Sequence, residues 1–151
     1  MNFETIQLPA LTIIGIELRT TYLNNECYSA IPAFWQQLYQ KNTLAKIPSR
    51  TNSDVVLAIY TNYTPDFSLT SGYYSMIVGS PVTNTQTVPA GMVIKEIPAA
   101  KYAVVTTEPA AIADTWAKIW QTKNLKRTFT SDFEWYDAKQ PNLVKIYVAI
   151  K

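Results

Sequence analysis

The stretch Asp132-Phe133-Glu134-Trp135-Tyr136-Asp137 reads as a short β-strand that holds a carboxylate between large aromatic residues. Residues two apart on a strand share a face, so Asp132, Glu134 and Tyr136 point one way and Phe133 and Trp135 the other. The second set suits an ordinary core. The first joins an acid to a phenol, which is the chemistry for gripping a positively charged, apolar molecule or for donating a proton.

Working outward from this strand, the chain is one pattern written twice. The first half opens with strand-like residues 3–9 and 11–19, broken at Pro9. A helical stretch follows over 29–42, then strands near 54–62 and 72–79. The second half opens with 91–97 and 101–107, broken at Pro98. A helix follows near 109–122, then strands at 131–137 and 143–150. Trp35, Leu38, Tyr39 and Gln40 match Trp116, Ile119, Trp120 and Gln121 at a constant offset. Ile31, Phe34, Trp35, Leu38 and Tyr39 have the spacing of one buried helical face, as do Ile112, Trp116, Ile119 and Trp120. Pro109 behind Glu108 is a good helix start. Pro32 predicts that the first helix begins only near Ser29 or is kinked.

Residues 83–89 (TNTQTVP) are polar and turn-rich and read as a joint between the repeats, about 1–82 and 90–151. Half a chain with one helix buries too little surface to stand alone, so residues 1–151 are expected to form a single domain. The predicted fold class is α+β: tandem pseudo-twofold βαββ repeats, an antiparallel sheet with two helices on one face, and a ligand groove on the other.

Composition narrows the chemistry. Hydrophobic residues make up 48% of the 151 and charged residues 16%, the balance of a globular chain. Ten Tyr and four Trp exceed the needs of a core this size, and their polar tips on apolar bodies suit a binding surface. A net charge of +2 gives no argument for nucleic acid, and Lys123, Lys126 and Arg127 read as a solvated helix end. Histidine is absent, which removes Ser-His-Asp and Cys-His catalysis and His-ligated metals and haem. Cys27 is alone and read as an inert thiol. The four Gly form no phosphate-cradling loop. No cofactor or metal is expected. Without a signal-peptide pattern or an apolar run of membrane-spanning length, the expected setting is cytoplasmic, with no membrane partner.

The order of these elements resembles the GyrI-like family, the effector-binding domains found at the C-termini of some AraC- and MerR-type regulators and also as standalone proteins. The likeness rests on the Trp-centred helix leading into Phe133-Glu134-Trp135-Tyr136 and then Lys145-Ile146-Tyr147-Val148-Ala149-Ile150. It rests also on the Ile97-Pro98-Ala99 turn, on Tyr102-Ala103-Val104 and, more loosely, on Gly72-Tyr73-Tyr74-Ser75. In such domains the acid of the Phe-Glu-x-Tyr strand lies in an aromatic pocket that binds organic cations and other lipophilic ligands. The resemblance gives that role to Glu134. The family's regulators also carry a helix-turn-helix domain, for which these residues leave no room, so a standalone form without direct nucleic-acid contact is implied.

Beside Glu134, the candidate ligand-binding residues are Tyr136 on the same strand face, Tyr147 in the last strand, and Tyr60, Tyr73 and Tyr74 in the first repeat. Trp35 and Trp116 are candidates too, although a Trp at helical spacing more often belongs to a core. Trp120 and Trp135 are expected against the helix layer, and Phe34 and Phe129 at the ends of any cavity. The alternative for Glu134 is a solvated acid, or one paired across strands with Lys95 or Lys145. Three functions fit these residues. The first is a binding module for lipophilic, cationic small molecules. The second is a GyrI-like hydrolase of electrophilic toxins, with Glu134 as general base and Tyr136 as proton donor. The third is an interaction module whose protein partner is a regulator or gyrase.

Overall fold

Pro9 and Pro98 each separate two strands, and in the computed structural model, which describes all 151 residues, the strands on either side of each proline take different partners. β1 (Glu4–Leu8) runs antiparallel to β6 (Ala100–Thr107). β2 (Leu11–Thr20) lies between β4 (Tyr74–Pro81) and β5 (Val93–Ile97). Proline has no N–H to give a ladder, so each break frees the chain to cross to the other half. The two repeats thereby exchange their first strands.

β3 (Val55–Thr61), β7 (Ser131–Asp137) and β8 (Val144–Ile150) complete one eight-stranded antiparallel sheet, in the order β1-β6-β8-β7-β3-β4-β2-β5. The order is symmetric about the seam between β7 and β3, which places the pseudo-twofold line beside Glu134. The sheet is curled into a half-barrel. Gly15 and Gly79 face each other across β2 and β4, and a Cβ on either would fall within 2.3 Å of backbone oxygen on the opposite strand. Only glycine permits strands to approach so closely there.

The face carrying Phe133 fills the hollow of the sheet with Ile13, Leu57, Ile59, Ile77, Tyr102 and their neighbours, all buried. Phe133 stacks on Tyr147 with ring centroids 4.6 Å apart. Complete burial of such a ring contributes about 1.5–3 kcal/mol. The opposite face carries both helices. α1 (Glu26–Gln40) sets Ile31, Phe34, Trp35 and Leu38 on Ala58, Met76 and Val78, and α2 (Ile112–Gln121) sets Trp116 and Ile119 on Ile146 and Val148. α1 starts three residues earlier than expected and continues through Pro32. Its first turn is anchored by Thr20 Oγ1, which donates to the Glu26 carboxylate at 3.1 Å, and by the Cys27 N–H, which donates to the Thr21 carbonyl at 3.0 Å.

The α+β class, the tandem repeats and the two helices on one face are as the sequence implies. The hollow is placed differently. It lies between the two helices, on the face they cover, because the other face has curled over its own side chains and closed.

Candidate functional site

Strand pairing decides what surrounds Glu134. Its partner across the seam is Ala58, whose methyl group leaves open space, and the diagonal neighbour Tyr60 leans into that space. Tyr60 donates its hydroxyl to Glu134 Oε2 at 2.9 Å. Trp116, one of α2's inward residues, donates its indole N–H to the same oxygen at 2.7 Å. Tyr136, two residues along β7, donates to Oε1 at 2.6 Å. Glu134 is 2% exposed, yet no lysine or arginine forms an ion pair with it. Lys145 pairs with Trp135, and Lys95 lies near Asn62, so neither reaches it.

Burial pushes the Glu134 carboxyl above its ordinary range, and the three hydrogen bonds oppose that rise without cancelling it. Burial and the neighbouring acid together hold the Tyr60 and Tyr136 hydroxyls well above the usual phenol value, so both remain donors. Asp132 lies on the same strand face and is treated quite differently. It accepts from Arg127 Nη2 at 2.9 Å, from the Tyr63 hydroxyl at 2.6 Å and from the Ala149 N–H at 2.8 Å. One acid therefore has its counter-charge, and the other lacks one.

A cavity of about 680 Å³ opens onto Glu134 between α1 and α2. This volume lies within the range typical of small-molecule sites, about 300–1,000 Å³. Tyr22, Tyr63, Phe67, Tyr74 and Trp120 supply most of its aromatic wall. The rings pack on one another, with centroids 5.4 Å apart for Tyr60 and Trp116, 5.4 Å for Phe67 and Tyr74, and 5.6 Å for Tyr22 and Tyr74. Burial raises Tyr22 to about 12. No three acidic or cysteine side chains converge to hold a metal ion.

Among the residues expected at the site, Glu134, Tyr60, Tyr74 and Trp116 share this cavity. Tyr136 reaches Glu134 from behind. With Trp35, which meets its ring edge-on at 5.8 Å, it borders a separate hollow of about 400 Å³ near Tyr39 and Asp54. Tyr147 does not join them. It pairs with Phe133 while Ile146 pairs with Glu134, so it belongs to the far side of the sheet. Tyr73 falls just before β4, in the loop that Gly72 turns at φ +79°, and is 46% exposed.

Two further expectations, for Arg127 and Trp120, are revised by the geometry. Arg127 is buried rather than a solvated helix end, because Lys126 at φ +57° turns the chain inward and Asp132 receives the guanidinium. Trp120 lines the cavity, and Phe129 stands at its margin, with its ring 5.9 Å from Trp120. Tyr22, Tyr63 and Phe67 carried no signal in the sequence, since they lie outside the regular elements.

Residues 4–150 match the family model described as Cass2, integron-associated effector binding protein. The chain belongs to the Cass2 family. This agrees with the GyrI-like resemblance read from its motifs. Among curated relatives, YobU of Bacillus subtilis (strain 168), named for a proposed role in transcriptional regulation, is 35% identical over 130 residues. That alignment covers 80% of this chain and 79% of YobU. The integron cassette protein VCH_CASS2 of Vibrio cholerae is 26% identical with a TM-score of 0.76, covering 99% of this chain and 95% of that one. SAV2435, solved bound to tetraphenylphosphonium, is 19% identical with a TM-score of 0.82, covering 100% and 94%. At that identity SAV2435 speaks for the fold. Small-molecule effector binding is the activity for which the Cass2 family is described.

Proposed function

We propose that this Cass2-family protein is a binding module for lipophilic organic cations, with Glu134 as the counter-charge at the floor of its aromatic cavity. One observation carries this reading. A carboxylate, 2% exposed, faces a cavity of about 680 Å³ with three neutral hydrogen-bond donors and no basic partner. A buried charge without a partner is unfavourable, and an incoming cation supplies what the fold omits. At 4 Å and an effective dielectric constant near 20, the attraction amounts to about 4 kcal/mol before desolvation is subtracted. Each aromatic face turned to a desolvated cation adds about 0.5–2 kcal/mol.

The same hydrogen bonds favour binding over hydrolysis. Three donors hold the carboxylate in place and make it less basic than burial alone would, which suits an anchor better than a general base. The ligand seen on SAV2435, tetraphenylphosphonium, is a lipophilic cation of the kind this chemistry accepts.

The test uses two ions of nearly the same shape and opposite charge. Quenching of tryptophan fluorescence is expected on titration with tetraphenylphosphonium and not with tetraphenylborate, since Trp116 and Trp120 line the cavity. Equal binding of both ions would leave only a greasy hollow.

A further inference from the structure

Glu134 is one of two charged side chains on the cavity wall; the other is Arg127. Its side chain is 8% exposed and gives a single hydrogen bond, from Nη2 to Asp132 Oδ2. Nε and Nη1 are buried, and no acceptor of the protein reaches either of them. These two nitrogens carry three N–H groups. The guanidinium is held flat by aromatic faces, with its carbon 4.3 Å from the centre of Phe129 and 4.7 Å from that of Trp120. It is thus fixed in position while most of its donor capacity is unused.

Buried donors left without acceptors are unfavourable, more so when charged, so a fold keeps few of them. Asp132 already balances the charge of Arg127, yet its remaining bonds go to Tyr63 and to the Ala149 N–H, not to a second guanidinium nitrogen. Arg127 also lines the cavity, so its spare donors lie beside that space.

We infer that Arg127 forms a second subsite in the same cavity, one that takes a carboxylate or comparable oxyanion carried by the ligand. The preferred ligand class is then zwitterionic, with a lipophilic cation for Glu134 and an anionic oxygen for Arg127. This rests on the reading of Glu134 as the cation anchor and narrows it. Guanidinium pairs with carboxylate through two parallel N–H donors on one edge, here the second hydrogen of Nη2 beside that of Nε or Nη1, a geometry that an ammonium cannot reproduce.

The experiment compares two probes with one cation: pentyltriphenylphosphonium and (4-carboxybutyl)triphenylphosphonium, with tether lengths varied by one or two methylenes. Wild-type protein is expected to bind the best carboxylate of the series about tenfold more tightly than its alkyl counterpart, the scale of one charge-assisted hydrogen-bond pair. Arg127→Lys keeps the charge and loses the fork, and it should reduce this ratio towards one. The pair Arg127→Met with Asp132→Asn removes both charges, leaves no unpaired acid if the single variant unfolds, and should also abolish the ratio. Tight binding of the alkyl probe with no gain from any carboxylate would overturn the Arg127 subsite and leave the cation site standing. A carboxylate preference that survives in both variants would assign the oxyanion to another group and likewise overturn it. Failure of wild type to bind either probe would overturn the Glu134 anchor, and the subsite with it.

Discussion

Trp116 on α2 and Tyr60 on β3 give their hydrogens to the same oxygen of Glu134, at 2.7 and 2.9 Å. The contact between their rings, with centroids 5.4 Å apart at 77°, sets both donors in place without any flexible side chain. That oxygen is consequently held by one residue from each repeat, and the acid stands at the seam where the repeats meet.

Trp116→Phe keeps a ring against Tyr60 and deletes one of these donors. A hydrogen bond to a charged group contributes about 1.5–3 kcal/mol, so the ionised form of Glu134 loses support and its pKa rises further. Cation affinity, which requires the ionised form, is expected to fall as pH drops through the Glu134 pKa. The midpoint of that fall should lie at higher pH in the variant. Titrations with tetraphenylphosphonium across pH, in both proteins, measure it directly, and coincident midpoints would contradict the account.

Glu134 also makes stability depend on pH. Its folded pKa lies above the unfolded value, so between the two the native state binds more protons than the unfolded chain. Stability from this group is therefore lost as pH rises through that window, and the full penalty holds above it. Glu134→Gln retains an acceptor for Trp116 and Tyr60 and removes the charge. It is expected to be more stable than wild type at neutral pH by about 0.5–2 kcal/mol, the usual gain from relieving a functional site. Thermal denaturation at neutral pH and near pH 4 should show the gap closing at the lower value.

Arg127 and Asp132 form the opposite kind of pair, a buried acid with its counter-charge. Removing one member strands a charge, so Arg127→Met should lose about 3–5 kcal/mol. Adding Asp132→Asn should recover at least half of that loss. Denaturant unfolding of both variants decides it. A double variant no better than the single would mean that the pair does not set the cost.

Tyr147 stacks beneath the sheet on Phe133, away from the cavity. Tyr147→Phe is expected to leave tetraphenylphosphonium affinity within about twofold of wild type, whereas Tyr74→Ala, which strips a wall, should lower it by about tenfold. Reversal of that order, read by fluorescence titration, would place the ligand on the wrong face.

The fold was legible because its information is local. Alternation marked the strands, the Trp35 and Trp116 helices repeated one spacing, and Pro9 and Pro98 fell where strands part. Glu134 with Tyr136 was legible for the same reason, since residues two apart on a strand must share a face. What the sequence concealed depends on pairing across the sheet. Tyr147 alternates away from Ile146 and Val148, which left its face open until the Glu134–Ile146 register assigned it. The placement of the cavity depended on which face the sheet would curl over, a property of the whole sheet and of the Gly15–Gly79 approach. Arg127 resembled a solvated helix end because a single left-handed residue, Lys126, carries the difference.

On the proposed reading, the Glu134 carboxylate supplies the charge that draws a cation into this cavity. Calorimetric titration of tetraphenylphosphonium into wild type and into Glu134→Gln, at a pH where Glu134 is ionised, tests it most directly. Saturable binding to wild type and an affinity about 100-fold weaker in the variant, equivalent to about 2.7 kcal/mol, are expected if Glu134 supplies the counter-charge. Equal affinity in the two proteins would contradict it.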